Sequence, residues 1–249
     1  LDPFAGMMSP WLAKQNIVPQ ADDGVVVAKG TLQQKPVVVI SIEGIFQGGS
    51  LGEVGGAKIA GALELAAEDN RKGIPTAAIL LLETGGVRLQ EANLGLAAIA
   101  EIQAAIVALR QYQPVVAVIA GSVGCFGGMS IAAALCSYLI MTQEGRLGLN
   151  GPQVIEQEAG VQEYDSKDRP FIWSITGGQQ RAASGLVDAY VEDDRQQIKQ
   201  QVLQYLTQGL PDLHRSSNYD FYLNHLQGVD TTEQATPLQV RTLYQGEQA

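Results

Sequence analysis

The sequence predicts an α/β fold built on parallel strands joined by right-handed crossovers. Three observations carry that expectation. Strand-like and helix-like segments alternate from residue 36 to residue 150, as crossovers within one sheet require. Residues 76–82 and 115–120 are uncharged apolar runs of strand length, the pattern of strands covered on both faces. Each run is followed by a loop with a Gly-Gly pair that feeds a helical pattern.

Taken in order, residues 1–24 are irregular and punctuated by Pro3, Pro10 and Pro19. Residues 25–28 and 36–42 read as strands around the polar turn Gln33-Gln34-Lys35. Residues 48–56 form a glycine-rich loop. A helix is expected over 57–71, with Ile59, Leu63, Ala66 and Ala67 on one face and Gly73 and Pro75 beyond its end. After the strand at 76–82 and the loop 83–91, a helix is expected over 91–111. There Ile99, Ile102, Ile106 and Leu109 share a face, and Pro114 closes it. The strand at 115–120 leads through the loop 121–128 to a small-residue helix at 128–136, then short strands at 138–142 and 146–149. Later helices are expected over 178–184 and 195–207. Residues 209–249 are glutamine-rich and weakly periodic, a weakly structured tail expected to drape over the domain or a partner. With no repeat or linker, residues 1–249 read as one domain.

The chain has 249 residues and is 46% apolar, enough for a sizeable core. Its 26 acidic against 16 basic residues give a net charge of −10, which argues against a nucleic-acid surface. Cys125 and Cys136 are too few for a disulfide framework or a zinc ribbon. They fit a reducing compartment, so a cytoplasmic location is expected. Residues 111–143 carry no charge and are long enough to span a bilayer. Four glycines between Gly121 and Gly128 interrupt them, and lipid would leave that loop's amides unpaired. No membrane span is expected.

The two Gly-Gly loops, Gly85-Gly86 and Gly127-Gly128, share one design. Glycine lets a backbone N–H approach a ligand closely, and a helix start favours negative charge. Two such donors converging on one oxygen make an oxyanion hole. Strand, loop and helix also surround Gly48-Gly-Ser-Leu-Gly52, which matches the G-x-S-x-G pattern of a nucleophilic serine, with Asp188 and His214 following in hydrolase order. That motif is short, and the two candidate bases, His214 and His225, lie in the polar tail. Arg88 either pairs with Glu91 to hold its loop or meets an anionic substrate. No phosphate loop, dinucleotide fingerprint or metal-ligand spacing is present in the sequence.

Asp23-Gly-Val-Val26, Gly48 to Glu53 with Lys58-Ile59, the string Glu83-Thr-Gly-Gly-Val-Arg-Leu-Gln-Glu91, and Gly121 to Gly128 together resemble the carboxyltransferase subunits of acyl-CoA carboxylases. The likeness spans roughly residues 20 to 195. The nine-residue string is its most specific part, with Thr84 and Val87 in place of the family's usual Ser and Ala. Within the family the chain resembles most the beta subunits of biotin-independent malonate decarboxylases, since it lacks the zinc ribbon of bacterial acetyl-CoA carboxylase beta subunits. The resemblance implies a crotonase-like (ClpP/crotonase) fold with the glycine loops as paired oxyanion holes or halves of one. It implies backbone donors at Gly86, Val87, Gly127 and Gly128, and substrate contacts from Gly85, Arg88, Gln90, Gly124 and Cys125. The implied reaction takes malonyl thioester to acetyl thioester and CO2 through an enolate. The acyl group rides on the phosphopantetheine-type arm of an acyl carrier protein, with no cofactor or metal bound by this chain. A homologous gamma subunit completes the site. The rival readings are a biotin-dependent carboxyltransferase subunit, a serine hydrolase on Ser50, and a non-catalytic scaffold.

Overall fold

The computed structural model describes residues 4, 6–230, 232 and 235–245. Strands β1 (Val25–Leu32) and β2 (Lys35–Ile42) form an antiparallel hairpin. Its turn residues, Gln33 and Gln34, both take positive φ, as a two-residue turn matched to strand twist demands. From β2 the sheet is parallel through β3 (Ala77–Leu81), β4 (Val115–Ile119), β5 (Tyr138–Thr142) and β6 (Ala189–Val191), in sequence order. Helices α1 (Glu53–Arg71), α2 (Asn93–Leu109) and α3 (Gly128–Leu135) make the crossovers.

The uninterrupted apolar runs have the cause expected for them. On one face Ile40, Leu80, Ala117 and Leu139 pack with α1, α2 and α3. On the other, Val37, Ile79, Val116 and Ile140 pack with Val202, Tyr205 and Leu206 of α7 (Arg195–Gln208). Both faces are covered, so side chains of either parity are apolar. The uncharged stretch 111–143 divides into β4, a loop, α3 and β5, and no helix among the described residues is long and apolar enough to cross a membrane.

Several boundaries differ from the sequence reading. Helix α1 starts at Glu53, inside the expected glycine loop, because its first amide is capped from far away: Glu53 N donates to Glu91 Oε2 at 2.8 Å. Residues 146–149 form no ladder strand; Arg146 and Leu147 make single bridges to Gly177 and Cys125. Helices α4 (Pro152–Ala159) and α5 (Arg169–Thr176) fill a stretch with no clear local signal, before α6 (Gly178–Ala183).

The expected weakly structured tail carries two helices, α8 (Tyr219–Gln227) and α9 (Pro237–Gln245). Nine residues give too few apolar repeats to stand out in the sequence. Tertiary contacts hold them instead: the Tyr222 hydroxyl donates to Gly185 O at 2.9 Å, and His225 stacks on Tyr244 at 4.4 Å. The first three residues of the irregular N-terminal segment, residue 5, and residues 231, 233, 234 and 246–249 of the tail lie outside the described residues.

Candidate active site

The two glycine loops meet. Thr84 N donates to Gly124 O at 2.8 Å, and Phe126 N donates to Thr84 O at 3.0 Å, so the pairing of β3 with β4 continues beyond the sheet. A third chain joins through Cys125 N to Arg146 O at 2.8 Å, and a fourth through Leu51 N to Gly86 O at 2.8 Å. The contact between the loops leaves no room for side chains. A β carbon on Gly86 would lie 2.9 Å from Phe126 O, and one on Gly127 would lie 3.3 Å from Gly86 Cα. Both glycines also hold positive φ, 103° and 61°, which other residues adopt only with strain.

Counting amides separates the four expected donors. Gly86 N–H is held by Thr84 Oγ1 at 3.0 Å, and Gly127 N–H by Leu149 O at 2.7 Å. Those two amides are spent on the loops themselves. Val87 N–H and Gly128 N–H have no acceptor among the described residues. Gly128 opens α3, where no carbonyl lies one turn back. Both residues are half-buried. The two loops that carry these unspent amides face one another across the Gly86–Gly127 contact.

Of the expected substrate contacts, Gly85 is exposed and its N–H donates to Gly48 O at 2.9 Å. Gln90 is exposed, and its carbonyl accepts from Gln15 Nε2 at 2.7 Å. Gly124 and Cys125 are buried within the bridged layer. Burial pushes the Cys125 thiol far above its usual range, so this sulfur is no thiolate.

Arg88, expected among the substrate contacts, is turned into the interior. It is fully buried and pairs through Nη1 with Asp23 Oδ1 at 2.7 Å and Glu91 Oε1 at 3.0 Å. Its Nη2 holds Ser50 O at 2.9 Å and Asp23 O at 3.2 Å. Around it, Asp23 Oδ2 accepts from Gly55 N at 2.8 Å, Glu91 Oε1 accepts from Ser9 Oγ at 2.8 Å, and Lys58 Nζ donates to the carbonyls of Asp22 and Val25. Burial pushes the Asp23 carboxyl up, against the pull of Arg88. Four charged residues from the stretches that carry the family likeness, Asp23, Lys58, Arg88 and Glu91, thus sit in one buried polar knot. It ties the turn before β1 and the start of α1 to the loop carrying Val87.

The second loop is clamped by residues the sequence did not single out. Glu83 Oε1 accepts from Val123 N at 3.0 Å, while Arg146 Nη2 donates to the carbonyls of Ser122 and Val123. Glu83 also lines a cavity of about 620 Å³ at the carboxyl ends of β2, β3 and β4, shared with Phe46 and Arg195. Its position just before Thr84-Gly85-Gly86 was the available signal.

No hydrolase triad is assembled. The Ser50 hydroxyl donates to Gln47 O at 2.8 Å, and Ser50 sits in relaxed extended backbone (φ −68°). Asp188 pairs with Arg215 and accepts from Leu139 N, rather than orienting a histidine. Among the described residues no group of His, Cys, Asp and Glu is arranged to hold a metal ion.

The Carboxyl transferase domain model matches residues 7–246. Malonyl-S-ACP:biotin-protein carboxyltransferase MADC of Malonomonas rubra is 43% identical over 193 residues, 74% of this chain and 61% of that protein. The chain therefore spans less than two thirds of that curated relative. A Pseudomonas malonate decarboxylase hetero-tetramer, solved with malonate, contains a chain 71% identical to this one. Its TM-score is 0.94, over 98% of this chain and 88% of the other. The MdcD-MdcE hetero-dimer of Pseudomonas malonate decarboxylase matches at 66% identity and TM-score 0.75, over 84% and 87%. The parallel sheet, its crossovers and the paired glycine loops are thus those of a crotonase-like carboxyltransferase fold, and the chain belongs to the carboxyl transferase domain family.

Proposed function

We propose that this chain is the beta subunit of a malonate decarboxylase, a carboxy-lyase that converts malonyl thioester on an acyl carrier protein to acetyl thioester and CO2. The 71% identity with a malonate decarboxylase chain, over 98% of this one, carries the reading. The site supplies the chemistry. Loss of CO2 leaves an enolate whose charge gathers on the thioester oxygen, and a proton taken up from solvent by the enolate carbon then gives the acetyl thioester. The unspent amides of Val87 and Gly128 are the donors for that oxygen, and their contribution grows as charge develops. Breaking the C–C bond needs no general base, in keeping with an inert Cys125 and a committed Ser50. The acyl group arrives on the carrier's phosphopantetheine-type arm, so the chain binds no cofactor of its own. A homologous gamma subunit completes the site, covering exposed apolar side chains next to the two loops such as Leu89, Ile131 of α3, and Leu149, whose carbonyl holds Gly127 N–H. The assembly works in the cytoplasm.

The 43% identity with a carboxyltransferase acting between malonyl-S-ACP and a biotin protein favours a second reading, transfer of the carboxyl group to biotin. One assay separates them. The co-purified subunits are given malonyl carrier protein with and without avidin. Decarboxylation unaffected by avidin is expected, and loss of turnover on adding avidin would favour carboxyl transfer.

A further inference from the structure

We propose that Arg146, Tyr164 and Arg181 form a subsite for a small oxyanion, a carboxylate or a phosphate group, beside the second glycine loop. Arg146 and Leu147 are consecutive, and Arg181 Nε donates to Leu147 O at 2.8 Å. Trp173 of α5 lies under Arg146, 4.6 Å from ring centre to guanidinium carbon, and Phe171 of the same helix packs edge-on against Tyr164 at 5.2 Å. Through α5 and Leu147 the three side chains are neighbours, near enough that both guanidinium charges act on the Tyr164 phenol. Phe126, the residue before Gly127, supplies the other wall, 5.5 Å from Arg146.

Polar satisfaction points to a ligand. Tyr164 is 8% exposed, yet its hydroxyl has no hydrogen-bond partner among the described residues. The buried Nε of Arg146 has none either. Buried polar atoms are normally paired, and each exception calls for a cause. Among the described residues neither arginine has a carboxylate within ion-pair distance, although acidic residues outnumber basic ones. Burial pushes the Tyr164 phenol up and the Arg181 guanidinium down, while both arginines pull the phenol back. One oxyanion would serve all three groups, since guanidinium and phenol donors both suit carboxylate or phosphate oxygens. Assigning that anion to the substrate, as the acyl carboxylate or the phosphate of the carrier's arm, rests on the proposed decarboxylation.

The test uses the chain co-purified with its partner subunit. Sodium malonate and inorganic phosphate are titrated separately, at constant ionic strength, against melting temperature and heat of binding. Saturable binding of at least one anion is expected, weakened roughly tenfold or more in Arg181→Gln and in Tyr164→Phe. Preference for malonate assigns the carboxylate, and preference for phosphate assigns the arm. Without anion, Tyr164→Phe should melt no lower than wild type, because the lost hydroxyl had no partner. The KM for malonyl carrier protein should rise in both variants by a larger factor than kcat falls. Wild-type anion binding in both variants, or no saturable binding of either anion, would overturn the subsite. Failure to decarboxylate, with anion binding intact, would count against the proposed reaction and leave the subsite standing.

Discussion

At the scale of single residues, the most informative side chain is Arg88, a buried charge whose partners are all internal. Its two carboxylates, Asp23 and Glu91, are themselves fixed by backbone amides of α1. Removing one member of such a group leaves uncompensated charge in the interior. Lysine cannot reproduce the fork that reaches Asp23, Glu91 and the Ser50 carbonyl together. Lysine keeps the charge but leaves buried acceptors unpaired, so Arg88→Lys is expected to lower stability by about 1–3 kcal/mol, read as a shift in the urea midpoint. Unchanged stability together with a raised KM would place Arg88 at the substrate after all. Cys125 gives a second residue-scale prediction. As a buried thiol with a strongly raised pKa, it should resist iodoacetamide at pH 8 in the native protein and react on unfolding. Rapid native labelling with loss of turnover would show a reactive thiolate.

At the scale of elements, the sheet and its first crossovers were legible because burial on both faces leaves an unmistakable apolar run. The meeting of the Gly-Gly loops was legible too, since parallel strands bring consecutive loops to one end of a sheet. Which amide stays unspent was not. That depends on Leu149 O and Thr84 Oγ1, acceptors that only the folded chain places against Gly127 and Gly86. Helix α5 leaves little trace in the sequence for a similar reason. It is eight residues long, and its start depends on Asp168, whose carboxylate accepts from Phe171 N at 3.1 Å. Asp168→Ala should cost about 1 kcal/mol. The loss should be local, seen as faster amide exchange over 169–176 while β3 and β4 stay protected. Because α5 carries Trp173 and Phe171, unprotected exchange there in the wild type would undo the scaffold described around Arg146.

At the scale of the whole molecule, the proposed hetero-oligomer calls for an interface on this chain. Leu89, 83% exposed, ends the first glycine loop, Ile131, 47% exposed, lies on α3 just after the second, and Leu149, 60% exposed, offers the carbonyl that holds Gly127 N–H. Exposed apolar side chains next to the loops are candidate material for such an interface. Obligate interfaces bury roughly 2,000 Å² or more. The isolated chain is expected to associate or lose turnover, and Leu149→Glu should block complex formation without lowering the chain's own melting temperature. A monodisperse monomer with full turnover in light scattering and kinetic assays would contradict this.

The central claim is that amides from two loops hold the thioester oxygen as its charge develops. Gly128 is a poor place to test it, because a β carbon there would lie 2.8 Å from Ile99 Cγ2. Val87 is better suited: its N–H has no acceptor among the described residues, and it is not among the residues held at positive φ, which proline cannot adopt. Val87→Ala removes side-chain packing and keeps the N–H, while Val87→Pro removes both. The decisive measurement is single-turnover decarboxylation of malonyl carrier protein by these two variants, each checked by a melting curve. The expected result is a rate for Val87→Pro roughly 10²–10³-fold below that of Val87→Ala at similar melting temperature. A folded Val87→Pro variant as fast as Val87→Ala would contradict the claim.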